Sequence, residues 1–138
     1  MNNIKARSFI TIMVVIAFLA LFLRVLIGQV IKGSVVVNES TAAATLKLIS
    51  AALESYAKDK QGAYPDNFAL LMKTTPPYVD KDYIDSPPIK GYYYNCPRLE
   101  ASGYSCYATP LKCQITGNMT YSVGTGGLFI SENCSKKD

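Results

Sequence analysis

Residues 9–31 read FITIMVVIAFLALFLRVLIGQVI, 23 positions carrying a single charge, Arg24. About 20 apolar residues are enough for a helix to cross a bilayer, so this stretch reads as a membrane-spanning helix. Arg24 lies past its midpoint, where a long stem can carry the guanidinium toward the outer interface. Lys5 and Arg7 stand just before the run. Basic flanks stay cytoplasmic, which makes residues 1–8 a short cytoplasmic leader and places the rest of the chain beyond the inner membrane. A cleaved secretory signal shares the basic start. The run is long for such a signal, however, and no small-x-small site follows it directly, so the helix is read as retained.

The charges support this topology. The 138-residue chain has 14 Lys or Arg, 10 Asp or Glu and no His, a formal charge of +4. Residues 1–38 contain Lys5, Arg7, Arg24, Lys32 and no acid, while residues 39–138 are formally neutral. The basic excess therefore belongs to the apolar segment and its flanks. A nucleic-acid binder would spread it over a folded face, so no nucleic acid is expected as a partner. The absence of histidine removes His-based acid–base catalysis, Ser-His-Asp triads and His metal sites. There is no Gly-x-Ser-x-Gly and no clustered carboxylate pair either, and the expectation is a protein that is not an enzyme.

Residues 32–61 read as the amphipathic continuation of the helix. Residues 34–61 contain no Pro or Gly, and Leu46, Ile49, Leu53 and Tyr56 recur at steps of three and four. Glu54 and Lys58 are spaced for a favourable surface pair, and Glu39 reads as a charge on the helix surface. Gly62 and Pro65 stand where a left-handed cap and a stop belong. Gly28 and Gly33 mark the places where the two halves of the helix would loosen.

Residues 62–138 change character. NFALLMK, residues 67–73, suggests one or two helical turns capped by Asp66. Residues 74–88 hold four prolines and read as an irregular loop anchored by Tyr78, Val79, Tyr83 and Ile84. Three strand-like runs follow at 91–96, 104–108 and 119–131, the last broken by a Gly-rich turn at 124–127. The expected fold is α+β: a long N-terminal helix, one half apolar and one half amphipathic, packed on an antiparallel sheet of three or four strands. Cys96, Cys106, Cys113 and Cys134 all fall in this outer region, where disulfides persist. They form no Cys-x-x-Cys, and of the three pairings open to them we favour Cys96–Cys106 across neighbouring strands and Cys113–Cys134 from tail to loop.

The basic start and apolar helix, then TAAATLKLISAALESYAKDKQGAYP, PPYVDKDYID, GYYYN and TYSVGTGGLFIS, resemble in this order the type IV pilins and type II secretion pseudopilins. Within that family the chain looks most like the short pseudopilins of the major-subunit type. Gly62, Ala63, Tyr64 and Pro65 match the Gly-x-Tyr-Pro element that ends the family's helix, and residues 120–130 match its closing hairpin. The resemblance implies a pilin-like fold and a mechanical role in a pilus or secretion pseudopilus, with residues 9–31 as filament core. It also implies the partners: further copies, other pilin-like subunits, an inner-membrane assembly platform and a prepilin peptidase.

The processing site departs from the family pattern. Ser8 stands where the family has Gly before the cut, Phe9 where the methylated residue follows it, and Met13 where a Glu pairs with the neighbouring subunit's amine. The proline that kinks the family's helix is absent, and cysteines are atypical of major pseudopilins. These departures point to a minor or tip subunit, or to a membrane-tethered binding module that does not polymerise. Major pseudopilins bind calcium near the closing hairpin, but SVGTGGLFIS has no carboxylate. Asp80, Asp82 and Asp85 are read as a solvated loop, with a calcium site there as the lesser alternative, and the expectation is no cofactor.

Overall fold

Helix α1 (Asn2–Asp59) runs without interruption through Gly28 and Gly33. The structure, a computed structural model, describes the backbone of residues 2–135 and side chains from Phe9 onward. The chain divides into two units, Met1–Ser34 and Val35–Asp138. Within the second unit the stripe at steps of three and four faces inward: Ala42, Leu46, Ile49 and Leu53 are fully buried and Tyr56 partly so. Past Asp59 the chain turns left-handed, with φ of 58° at Gln61 and 92° at Gly62. Gly62 N–H donates to the Ala57 carbonyl at 2.7 Å, satisfying one of the carbonyls that a helix end leaves open.

A short 3-10 turn (Phe68–Leu71) follows, capped by Asn67 rather than Asp66; the Asn67 side chain accepts from Ala69 N–H. Residues 74–88 form an irregular loop, and four residues of it reach the core: Val79 and Tyr83 are buried, Tyr78 and Ile84 partly buried.

The sheet is a meander of four antiparallel strands in the order β1 (Tyr92–Glu100), β2 (Gly103–Pro110), β3 (Met119–Gly124) and β4 (Leu128–Asn133). The fold is thus the expected α+β, the C-terminal part of α1 packed on an antiparallel sheet. Strand β1 runs longer than residues 91–96. Its register with β2 shifts between Asn95 and Arg98, so Pro97 falls in a bulge on an edge strand, where its missing N–H breaks no ladder. Along β1 and β2 the inward side chains are Tyr92, Tyr94, Tyr104, Cys106 and Ala108, with Tyr93 and Tyr107 turned outward. Tyr121 lies between Tyr92 and Phe129, and Lys47 Nζ stands 5.1 Å from the Phe129 ring centroid. Most of the tyrosines therefore build the core, as expected of a side chain with a large apolar ring.

Candidate functional site

The first unit is helical, and its described side chains, from Phe9 to Ser34, are all exposed. Phe9, Ile10, Met13, Phe18, Leu19, Phe22, Leu26 and Ile31 are all exposed, Phe9 at 64% and Phe18 at 70%. The helix is long and apolar enough to cross a membrane, with a mean hydropathy of 2.9 over its best window. Soluble surfaces rarely carry contiguous apolar area of this extent. Of the expected processing pair, Ser8 lies outside the residues whose side chains are described; Phe9, Met13 and Arg24 all sit on the exposed helix.

One carboxylate in the second unit joins several of its elements. Glu54 projects from α1 beside the inward stripe and does not pair with Lys58. Its Oε1 accepts from the Tyr104 hydroxyl at 2.9 Å and from Gly126 N–H at 2.8 Å, and its Oε2 accepts from the Tyr64 hydroxyl at 3.0 Å. Ser50 Oγ lies 2.8 Å from the Tyr104 oxygen. Because Tyr104 gives its proton to the carboxylate, Ser50 is the donor in that pair. The helix, the Gly-x-Tyr-Pro element, strand β2 and the β3–β4 turn thus meet at Glu54. Burial, together with the Glu54 carboxylate, pushes the Tyr104 hydroxyl up to about 12, and the Tyr64 hydroxyl is raised by the same two causes.

Sequence alone could not find this brace, because Tyr104 and Gly126 lie 50 and 72 residues from Glu54. Glu39 is a second case. It is no free surface charge: its carboxylate accepts Asn118 N–H at 2.6 Å, while the Asn38 amide donates to the Thr116 carbonyl. These bonds pin α1 near its middle to the loop before β3.

Cys96 is bonded to Cys106 across β1 and β2, with Cα atoms 4.0 Å apart, and Cys113 to Cys134, with Cα atoms 5.7 Å apart. The second bridge closes the loop that holds Asn38 and Glu39, and Cys134 N–H donates to the Asn118 carbonyl there. The loop aspartates serve the loop itself. Asp80 accepts the Tyr83 hydroxyl at 2.7 Å, which holds its carboxyl below the usual range, and Asp82 caps Ile84 and Asp85 N–H. Asp82 is half-buried, so this loop is ordered by its carboxylates more than solvated through them. Among the described residues no three His, Cys, Asp or Glu side chains are placed to hold a metal ion.

What the described residues offer is an exposed apolar helix in the first unit and, in the second, a disulfide-bonded domain joined through Glu54. Comparison with family models, with curated proteins and with solved structures finds no match.

Proposed function

We propose that this chain is a pilin-like structural subunit of an envelope filament, a type IV pilus or a type II secretion pseudopilus. In this reading it waits in the inner membrane with its N-terminus cytoplasmic and enters the filament through its apolar helix. Prepilin peptidase, the assembly platform, further copies and other pilin-like subunits are its partners.

The observation that carries the reading is apolar helix surface in excess of what a bilayer covers. Residues 9–31 supply about 34 Å at 1.5 Å per residue, the whole thickness of the hydrocarbon core. Beyond them the helix still exposes Val36 (65%), Val37 (55%) and Leu48 (43%). Val37, Ala44, Leu48 and Ala51 are all exposed and share one face of the helix at steps of seven, four and three, away from the buried stripe. A monomer tethered in lipid leaves that face in water; packing between subunit helices covers it. The mechanism is mechanical: the helix supplies adhesion between subunits, and the braced domain transmits load without chemistry.

Deleting residues 9–23 tests this reading. It predicts a soluble, folded domain that no longer enters filaments or sediments with membranes, and a deletion variant still found in filaments overturns it. The departures at Ser8 and Met13 favour one other reading, a membrane-tethered binding module that does not polymerise. In that case the full chain stays in the inner membrane as isolated copies.

A further inference from the structure

Three segments of the second unit meet at Asn38. Its amide donates to the Thr116 carbonyl at 3.0 Å, and a Cβ on Gly91 would stand 2.8 Å from Thr116 Cβ and 3.5 Å from Asn38 Nδ2. Leu111 N–H donates to the Gly91 carbonyl and Thr116 N–H to the Lys112 carbonyl, so residues 90–91 and 111–117 form one compact end of the unit. The Cys113–Cys134 bridge holds the loop in place. Val35, one turn before Asn38 on the same face of α1, is only 5% exposed, so the packing reaches back to the first residue of this unit.

The tip of this end is apolar and basic. Ile115 is 57% and Leu111 44% exposed, and Lys90 and Lys112 are exposed beside them. Residues 90–91 and 111–117 contain no Asp or Glu. Among the described residues, the carboxylates next to this end are Glu39, which takes Asn118 N–H, and Glu132, which lines a cavity with Thr120, Cys113 and Cys134. Aliphatic tips flanked by lysines fit a lipid interface, where the tips enter the acyl boundary and the ammonium groups meet headgroup phosphate. The short tether favours lipid over a protein partner. Val35 is four residues past Ile31, and four residues span at most about 14 Å however they are arranged. The headgroup layer beyond the hydrocarbon is itself about 5–7 Å deep. Resting on the reading of residues 9–31 as a membrane span, we propose that the 111–117 loop, together with Lys90, docks on the headgroups of an anionic bilayer. Extraction from the membrane then breaks this contact as well as the burial of the apolar helix.

The chain has no tryptophan, so a single one can report depth. Full-length Ile115→Trp goes into phosphatidylcholine vesicles containing phosphatidylglycerol, with lipid brominated just below the headgroup as quencher. Leu128→Trp is the reference. Leu128 is 65% exposed and follows the turn whose Gly126 bonds Glu54. Glu54 stands about 22 Å farther along α1 than Glu39 at 1.5 Å per residue. Flotation first scores insertion. Quenching at position 115 should exceed that at 128 by about twofold or more, and Lys90→Glu with Lys112→Glu should bring it down to the reference level. Chains that do not float overturn the membrane reading and this contact with it. Floating chains quenched equally at both positions, as they would be with a protein covering the loop, overturn the contact alone. Quenching at 115 that survives both the lysine changes and the omission of phosphatidylglycerol overturns the anionic headgroup as the loop's partner.

Discussion

The hydroxyl of Tyr104 donates to the carboxylate of Glu54 at 2.9 Å, across 50 residues of chain, and this bond joins the C-terminal half of α1 to the middle of the sheet. Tyr104 is buried, as is Ser50, which gives its own proton to the tyrosine oxygen. Tyr104→Phe leaves both neighbours short of a partner and should cost about 1–3 kcal/mol. Glu54→Ala strands two tyrosine hydroxyls and Gly126 N–H and should cost at least as much. Urea denaturation of the domain lacking residues 9–23 checks both, and unchanged midpoints would remove Glu54 from its bracing role.

Alkaline pH probes the same core. Burial pushes Tyr83 and Tyr104 up to about 12, with Asp80 and Glu54 adding to it respectively, and burial raises Tyr92 as well. In the unfolded chain these hydroxyls ionise near 10. The unfolded state therefore loses protons first, and the stability linked to them is complete below pH 10. It should fall steadily between about pH 10 and 12. A denaturation midpoint that stays level across that window contradicts the burial of these rings.

Gly117 and Gly126 should respond differently to alanine. A Cβ on Gly117 would overlap the Tyr92 hydroxyl, which is fixed by its bond to the Met119 carbonyl on a fully buried ring. Crowding of this kind costs about 1–3 kcal/mol, so Gly117→Ala should broaden or lower the thermal transition markedly. Gly126 has open space around it but a φ of 81°, and alanine there should cost only about 1–2 kcal/mol. A Gly117→Ala variant as stable as the native chain would mean that Tyr92 is free to move.

Replacing Cys113 and Cys134 by serine opens the loop that carries Thr116 and Asn118. Loss of such a bridge costs about 2–4 kcal/mol. It should also release the contacts to Asn38 and Glu39, read as protease cleavage within residues 111–118 under conditions that leave the native chain intact. If the double variant resists cleavage like wild type, the loop is held by those hydrogen bonds without the bridge.

Much of this architecture is legible in the sequence because it rests on local periodicity. The inward stripe on α1, the Gly62 stop and the Gly-rich β3–β4 turn are all set by residues near one another. What escapes is set by long-range partners. Glu54 reads as half of a surface pair with Lys58, because Tyr64, Tyr104 and Gly126 reach it only after folding. Strand β1 reads as ending at Cys96, since a proline normally stops a strand; the bulge that tolerates Pro97 depends on the register with β2. Glu39 reads as a surface charge because nothing local reveals that Asn118 N–H will meet it. For the candidate site, the apolar helix is plain in the sequence, whereas the hydrogen bonds that gather four elements at Glu54 are not.

The central claim is that residues 9–31 leave the membrane as the core of a filament, and the mass of the mature N-terminus tests it most directly. Native protein taken from the envelope fraction should begin at Phe9, with its amine methylated and the Ser8–Phe9 bond cut. An intact Met1 on the mature chain would contradict the account and leave a tethered, non-assembling protein.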